Sequence, residues 1–226
     1  MRVDFSAASG TLLAPEAVID GLLGGADPAP ALAAAGAIVD GAPHPSLEPA
    51  LQAVEQALCR MRLERGERAG AVWASPAVCA ILVPQDGRLR LSSFPTLFLP
   101  DALARVNDLG PRPRIEPART ISISPGDLAT AIATRSAAGA GLDDEERELL
   151  QVTLDALREH WRIEARWEPS AESPGVRVVE VVDTDAGMWS VIPDASRVEL
   201  WPTTPTKVFR ALGGLLPRDH EIPVPS

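Results

Sequence analysis

The 226-residue chain contains no tyrosine, a single lysine at Lys207, two cysteines and three histidines. Cys59 and Cys79 are too few for a disulfide framework and suit a reducing compartment. His44, His160 and His220, expected in a Pro-rich loop, at a helix end and in the tail respectively, stand far apart with none of the spacings that zinc sites use. Aromatic residues are scarce, five tryptophans and four phenylalanines, so each one supplies a large share of the bulky side chains. No apolar run approaches the roughly 20 residues that a membrane-crossing helix needs. The first residues, Met1 to Ser6, lack the charged start, apolar stretch and small-residue cleavage site of a secretory signal, so a cytoplasmic protein without membrane insertion is expected. Basic residues number 21 against 31 acidic, a net charge of −10 that repels phosphate backbones and argues against a nucleic-acid partner.

What is present is enough apolar material, 46% of the chain, to build a core. Pro15 opens a short helix within Thr11 to Asp27, ended by Gly24-Gly25, and a second is expected from Ala31 to Val39. Leu47, Leu51, Val54, Leu58 and Met61 recur every three or four residues and predict one helix of about five turns from Ser46. The period then shortens: 71–73, 78–83 and 88–91 read as strands, the last two joined by a tight Asp86-Gly87 turn. Pro100 opens a helix stopped by Gly110-Pro111. Beyond it come a strand at 121–124, a helix capped by Ser124, a flexible break at 136–141 and a helix capped by Asp143 carrying Leu149, Leu150, Leu154 and Leu157. Trp161, Ile163, Ala165 and Trp167 alternate with charged residues as one side of a strand. Strands at 176–182, 188–192 and 197–201 lead to a helix opened by Thr204-Pro205, and 218–226 reads as a flexible tail.

The two strand and helix units repeat each other. Val83-Pro84, Arg88-Leu89 and Leu91 recur as Ile192-Pro193, Arg197-Val198 and Leu200, Phe94-Pro95-Thr96 as Trp201-Pro202-Thr203, and Pro111-Arg112 as Pro217-Arg218. A single α+β domain over 1–226 is expected, its halves about 30–118 and 119–217 related by a quasi-two-fold axis, each an antiparallel meander flanked by helices.

Chemistry is sparse. Gly21-Leu22-Leu23-Gly24-Gly25 lacks the Lys-Ser/Thr of a phosphate loop, and no Gly-x-Ser-x-Gly elbow occurs. Asp183 and Asp185 form the best carboxylate pair, able in principle to hold a cation or divide acid and base roles, but the same residues make an ordinary turn between strands. Asp143 to Glu146 fits a helix start favoured by the dipole rather than a metal cluster. The cysteines read as buried structural thiols, Cys59 on the amphipathic helix and Cys79 on a strand. No catalytic, cofactor or metal residues are expected.

Several segments resemble EspG-type proteins. The run Leu32 to Gly41, the strand Val78 to Pro84 with its hairpin, and Leu99 to Leu103 ending in Leu109-Gly110-Pro111-Arg112-Pro113 look like their N-terminal half. Val181 to Gly187, then Val198-Glu199-Leu200-Trp201-Pro202 and Pro205 to Leu216, look like their C-terminal signature, an Asp-Thr-x-x-Gly turn, a strand and a Pro-capped helix. The resemblance implies a cytosolic, non-enzymatic chaperone of type VII (ESX) secretion that binds the helical tips of PE/PPE or WXG-like dimers before export. The chain is shorter than typical members. The bias to arginine and alanine reads as a GC-rich genome of the actinobacterial kind. Trp189, Trp201, Trp167 and Phe94, near strand ends, are the candidates to touch an apolar helix, with core packing the competing role for Trp189 and Trp201, and a homodimer is left open.

Overall fold

A computed structural model describes residues 2–25, 30–116, 119–169 and 175–222. The expected helix end at Asp27, the repeat boundary near 118 and the last four residues of the tail lie outside them. The fold is mixed α+β, with seven α-helices and antiparallel strands among the described residues, divided into two compact units.

The first unit comprises Met1–Leu99, Glu164–Arg177 and Leu216–Ser226. Its elements in chain order are β1 (Asp4–Ser6), β2 (Thr11–Ala14), α1 (Glu16–Leu23), α2 (Pro30–Ala34), the small pair β3 (Ile38–Val39) and β4 (Ala42–Pro43), and α3 (Glu48–Glu55). A meander follows, β5 (Cys59–Arg65), β6 (Arg68–Ala74), β7 (Val78–Gln85) and β8 (Arg88–Pro95), and the strands lie in the order β1-β2-β8-β7-β6-β5. Alternation decides which side of the sheet is dry. Leu12, Ala14, Ala80 and Leu91 form a core with Val18, Ile19, Leu32, Leu47, Ala50 and Ala53 of the helical segments. Burying each such leucine or isoleucine is worth about 1.5–3 kcal/mol. Asp86 and Gly87, at φ 51° and 71°, supply the left-handed pair that a two-residue hairpin turn demands.

The second unit comprises Pro100–Ile163 and Val178–Leu215. Here belong all but the first residue of α4 (Leu99–Val106), then β9 (Ile121–Ile123), α5 (Pro125–Thr134) and α6 (Asp144–Asp155). Most of β10 (Leu157–Trp167) and β11 (Val176–Thr184), then β12 (Gly187–Asp194), β13 (Arg197–Thr203) and α7 (Pro205–Gly213), complete it, with strand order β10-β11-β12-β13-β9. Ser124, Asp143 and Thr204 cap their helices as expected, each side chain accepting from the backbone N–H three residues on. Trp189, Val191, Val198 and Leu200 pack with Leu128, Ala131, Leu150 and Leu154 as the core.

Several expectations need correction. The five-turn helix ends at Glu55, and Cys59, Met61 and Leu63 are the buried side of β5. His160 lies within β10 instead of at a helix end. The first meander has four strands instead of three, β5 being the added one. The helix expected over 31–39 is also shorter, closing at Ala34 before β3. The stretch expected to fray is held through 222: Glu221 accepts two bonds from Arg177 Nη2, at 2.5 and 2.6 Å, and one from the Arg218 N–H.

Along the chain one succession appears twice. A short strand, helices, a four-strand meander and a helix run from β2 to α4 and again from β9 to α7. In both, the opening strand pairs antiparallel with the last strand of its meander, β2 with β8 and β9 with β13.

Candidate functional site

Within the second unit, β12 and β13 place Ser190 opposite Trp201 and Ile192 opposite Glu199. Directly opposed residues share a face, so Trp201 and Ile192 are diagonal neighbours on the side away from the core. Trp201 is 50% exposed and Ile192 45%. The Trp201 indole Nε1 donates to Glu199 Oε2 at 2.7 Å, which satisfies its polar end and leaves the ring for contact. Ser122 of β9 stands across from Glu199 and accepts from Arg197 Nε at 2.8 Å. The face thus carries an aromatic and an aliphatic anchor with a polar rim, the composition of a contact hot spot.

The other expected contact residues lie elsewhere. Trp189, one residue before Ser190, points the opposite way and is 2% exposed, a core side chain of the second unit. In the first unit, Trp167 is buried with the Arg177 guanidinium 5.1 Å above its ring, a cation–π contact. It borders an open groove of about 560 Å³ with Leu58, Arg60, Arg62, Ala71 and Arg166. Phe94 is half-buried on β8 opposite Cys79. Sequence reasoning missed Leu97 and Phe98, 73% and 49% exposed in the 3-10 turn before α4, although an apolar Leu-Phe-Leu run between Pro95 and Pro100 was there to be seen.

Asp183 and Asp185 do not converge on an open site. Arg112 donates Nε and Nη2 to the two Asp183 carboxylate oxygens, both at 2.7 Å, with side chains only 8% and 4% exposed. Hydrogen bonding to Asp183 holds the Arg112 guanidinium further above its usual proton affinity. Asp185 is exposed and pairs with Arg158, which also reaches Asp108. Thr184 Oγ1 donates to Gly187 O and accepts from the Ala186 N–H, closing the loop as a turn. Gly187, at φ 144°, lies where a Cβ would come within 2.4 Å of Ile115 Cγ1. The Leu109 to Pro113 segment and the Asp-Thr-x-x-Gly turn, two separate stretches of sequence, are therefore one packed structure.

The remaining candidates are structural. Cys59 and Cys79 flank Ala74 on two different strands, two strand spacings or about 9–10 Å apart, too far to bridge. Burial, with the neighbouring Cys79, pushes the Cys59 thiol up to about 12, and burial raises Cys79 too. His44 caps a 3-10 turn through Nδ1, and His160 Nε2 meets Glu180 at 2.9 Å. Among the described residues no three His, Cys, Asp or Glu side chains are grouped to hold a metal, and no helix is long and apolar enough to cross a membrane.

No known family pattern matches the sequence, and no curated protein matches it. One solved structure that does resemble the chain is the Mycobacterium tuberculosis type VII secretion system chaperone EspG5 in complex with a PE25–PPE41 dimer. The likeness covers 85% of this chain and 83% of that one at a TM-score of 0.54 and 11% sequence identity, so what the two share is an EspG-like fold.

Proposed function

We propose that the chain is a non-enzymatic cytosolic chaperone or adaptor that binds helical type VII secretion substrates, PE/PPE or WXG-like dimers, before their export. The observation that carries this reading is the fold likeness to EspG5, a chaperone that holds a PE25–PPE41 dimer, over most of both chains. The exposed Trp201 and Ile192 face supports it, because an apolar helix tip needs an aromatic anchor with a polar rim. In this reading residues 1–226 work as one domain that arose by duplication. The acid or metal reading of Asp183 and Asp185 is set aside, since the Arg112 fork already occupies both Asp183 oxygens.

The test is co-expression of the tagged chain with PE/PPE and WXG-like pairs, followed by affinity capture and size exclusion. A stoichiometric complex is expected, and Trp201→Ala should weaken it at least tenfold while leaving the circular dichroism spectrum unchanged. Failure to capture any such pair from cells shown to express them soluble overturns the reading.

A further inference from the structure

The outward side of α6 carries a second surface that substrate capture through Trp201 does not use. Glu145, Glu148, Leu149 and Val152 recur at the spacing of one helix face. Leu149 is half-buried, while Val152 is 56% exposed, an unusual place for a branched aliphatic side chain on a helix this acidic. Together with Arg119 and Thr120 they border an open groove of about 690 Å³. Its rim is acidic: Arg119 is already paired with Glu145, and Glu148 has no partner among the described residues.

The neighbouring edge strand narrows the choice of occupant. In β9 the Ser122 N–H is met by Glu146 Oε1 at 3.5 Å and the Ser122 carbonyl by Arg197, so side chains cover the groups that an added strand would use. A second copy of the chain is disfavoured as well, because it would set Glu145 and Glu148 against their own like. A helix whose apolar stripe is bordered by lysine or arginine satisfies both the exposed Val152 and the carboxylates.

We infer that this face of α6 docks a basic amphipathic helix of a partner protein. The inference rests on the chain being a binder of helical segments, and its test is separate from substrate capture. The probe is a labelled 18-residue helical peptide with leucines every three or four residues flanked by lysines, titrated into the full chain and followed by fluorescence anisotropy. Expected results are saturable binding, at least tenfold weaker binding to Glu148→Lys/Val152→Asp, and at least tenfold weaker binding of a twin peptide with glutamate for lysine. A control variant, Glu67→Lys/Asp20→Lys, reverses two exposed acids elsewhere and should bind as the parent does. The proposal is overturned if the peptide does not bind, if the glutamate twin binds equally, or if the control loses as much as the α6 variant. Capture of a PE/PPE pair without peptide binding sinks this inference alone; peptide binding without capture sinks the chaperone reading alone.

Discussion

At the scale of single residues, the buried Arg112–Asp183 fork has the largest consequence. Removing one partner of a buried pair leaves the other charged, dry and unmatched, which costs about 3–5 kcal/mol, whereas replacing both by apolar groups of similar size is often neutral. Asp183→Ala should therefore lower unfolding stability in urea by about 3 kcal/mol, and Arg112→Met/Asp183→Leu should recover most of it. A double variant as unstable as the single would mean the fork does more than satisfy itself. The cysteines provide a second residue-scale test. Only a thiolate reacts quickly, and the Cys59 thiol, pushed up to about 12 and 1% exposed, is neither ionised nor reachable at pH 8. Maleimide labelling followed by mass spectrometry should find Cys59 and Cys79 unmodified in the native chain and fully modified in denaturant. Rapid native labelling would contradict the burial of β5 and β7.

Elements were legible wherever the local signals agreed. Ser124, Asp143 and Thr204 each combine a capping side chain with a periodic helix behind it, and Asp86-Gly87 can make little other than a hairpin turn. The long helix from Ser46 was misread because Leu58 and Met61 extend a helical period while Cys59, Met61 and Leu63 equally begin a strand period. Pairing across the sheet settles it: the Leu58 N–H donates to the Ala74 carbonyl, a bond that no local pattern announces. The contact face was half legible for the same reason. Trp189 and Trp201 look alike in sequence, and only the register, which sets Trp189 against Pro202 and Trp201 against Ser190, separates core from surface. Two glycines give a test at this scale. Gly187→Ala forces a Cβ to 2.4 Å from Ile115 and 3.1 Å from the Pro113 carbonyl, so it should cost about 2–4 kcal/mol and loosen the Leu109 to Pro113 strap against the turn. Gly87→Ala meets nothing within 4 Å and should cost only the left-handed backbone penalty of about 1 kcal/mol. Equal losses at both sites would remove the packing argument.

For the molecule as a whole, the acidic balance and its few strong pairings set how stability depends on pH. Glu221 is held below the usual carboxylate range chiefly by the Arg218 backbone N–H, then by Arg177, and Asp4 by Arg88 and Arg2. A carboxyl with a depressed folded-state affinity takes its proton in the unfolded chain first as the pH falls. Its contribution is complete above the ordinary carboxylate range of about 4 and drains away as the pH drops through the lower folded value. The sign is therefore fixed: unfolding stability, followed by tryptophan fluorescence in urea, should hold between pH 7 and about pH 5 and decline below it. Glu221→Gln keeps the shape and loses the charge, so it should be less stable than the parent at pH 7, with the gap closing as pH 3 is approached. A gap that stays constant across that range would show that the Arg177 and Arg218 contacts hold Glu221 by shape rather than by charge.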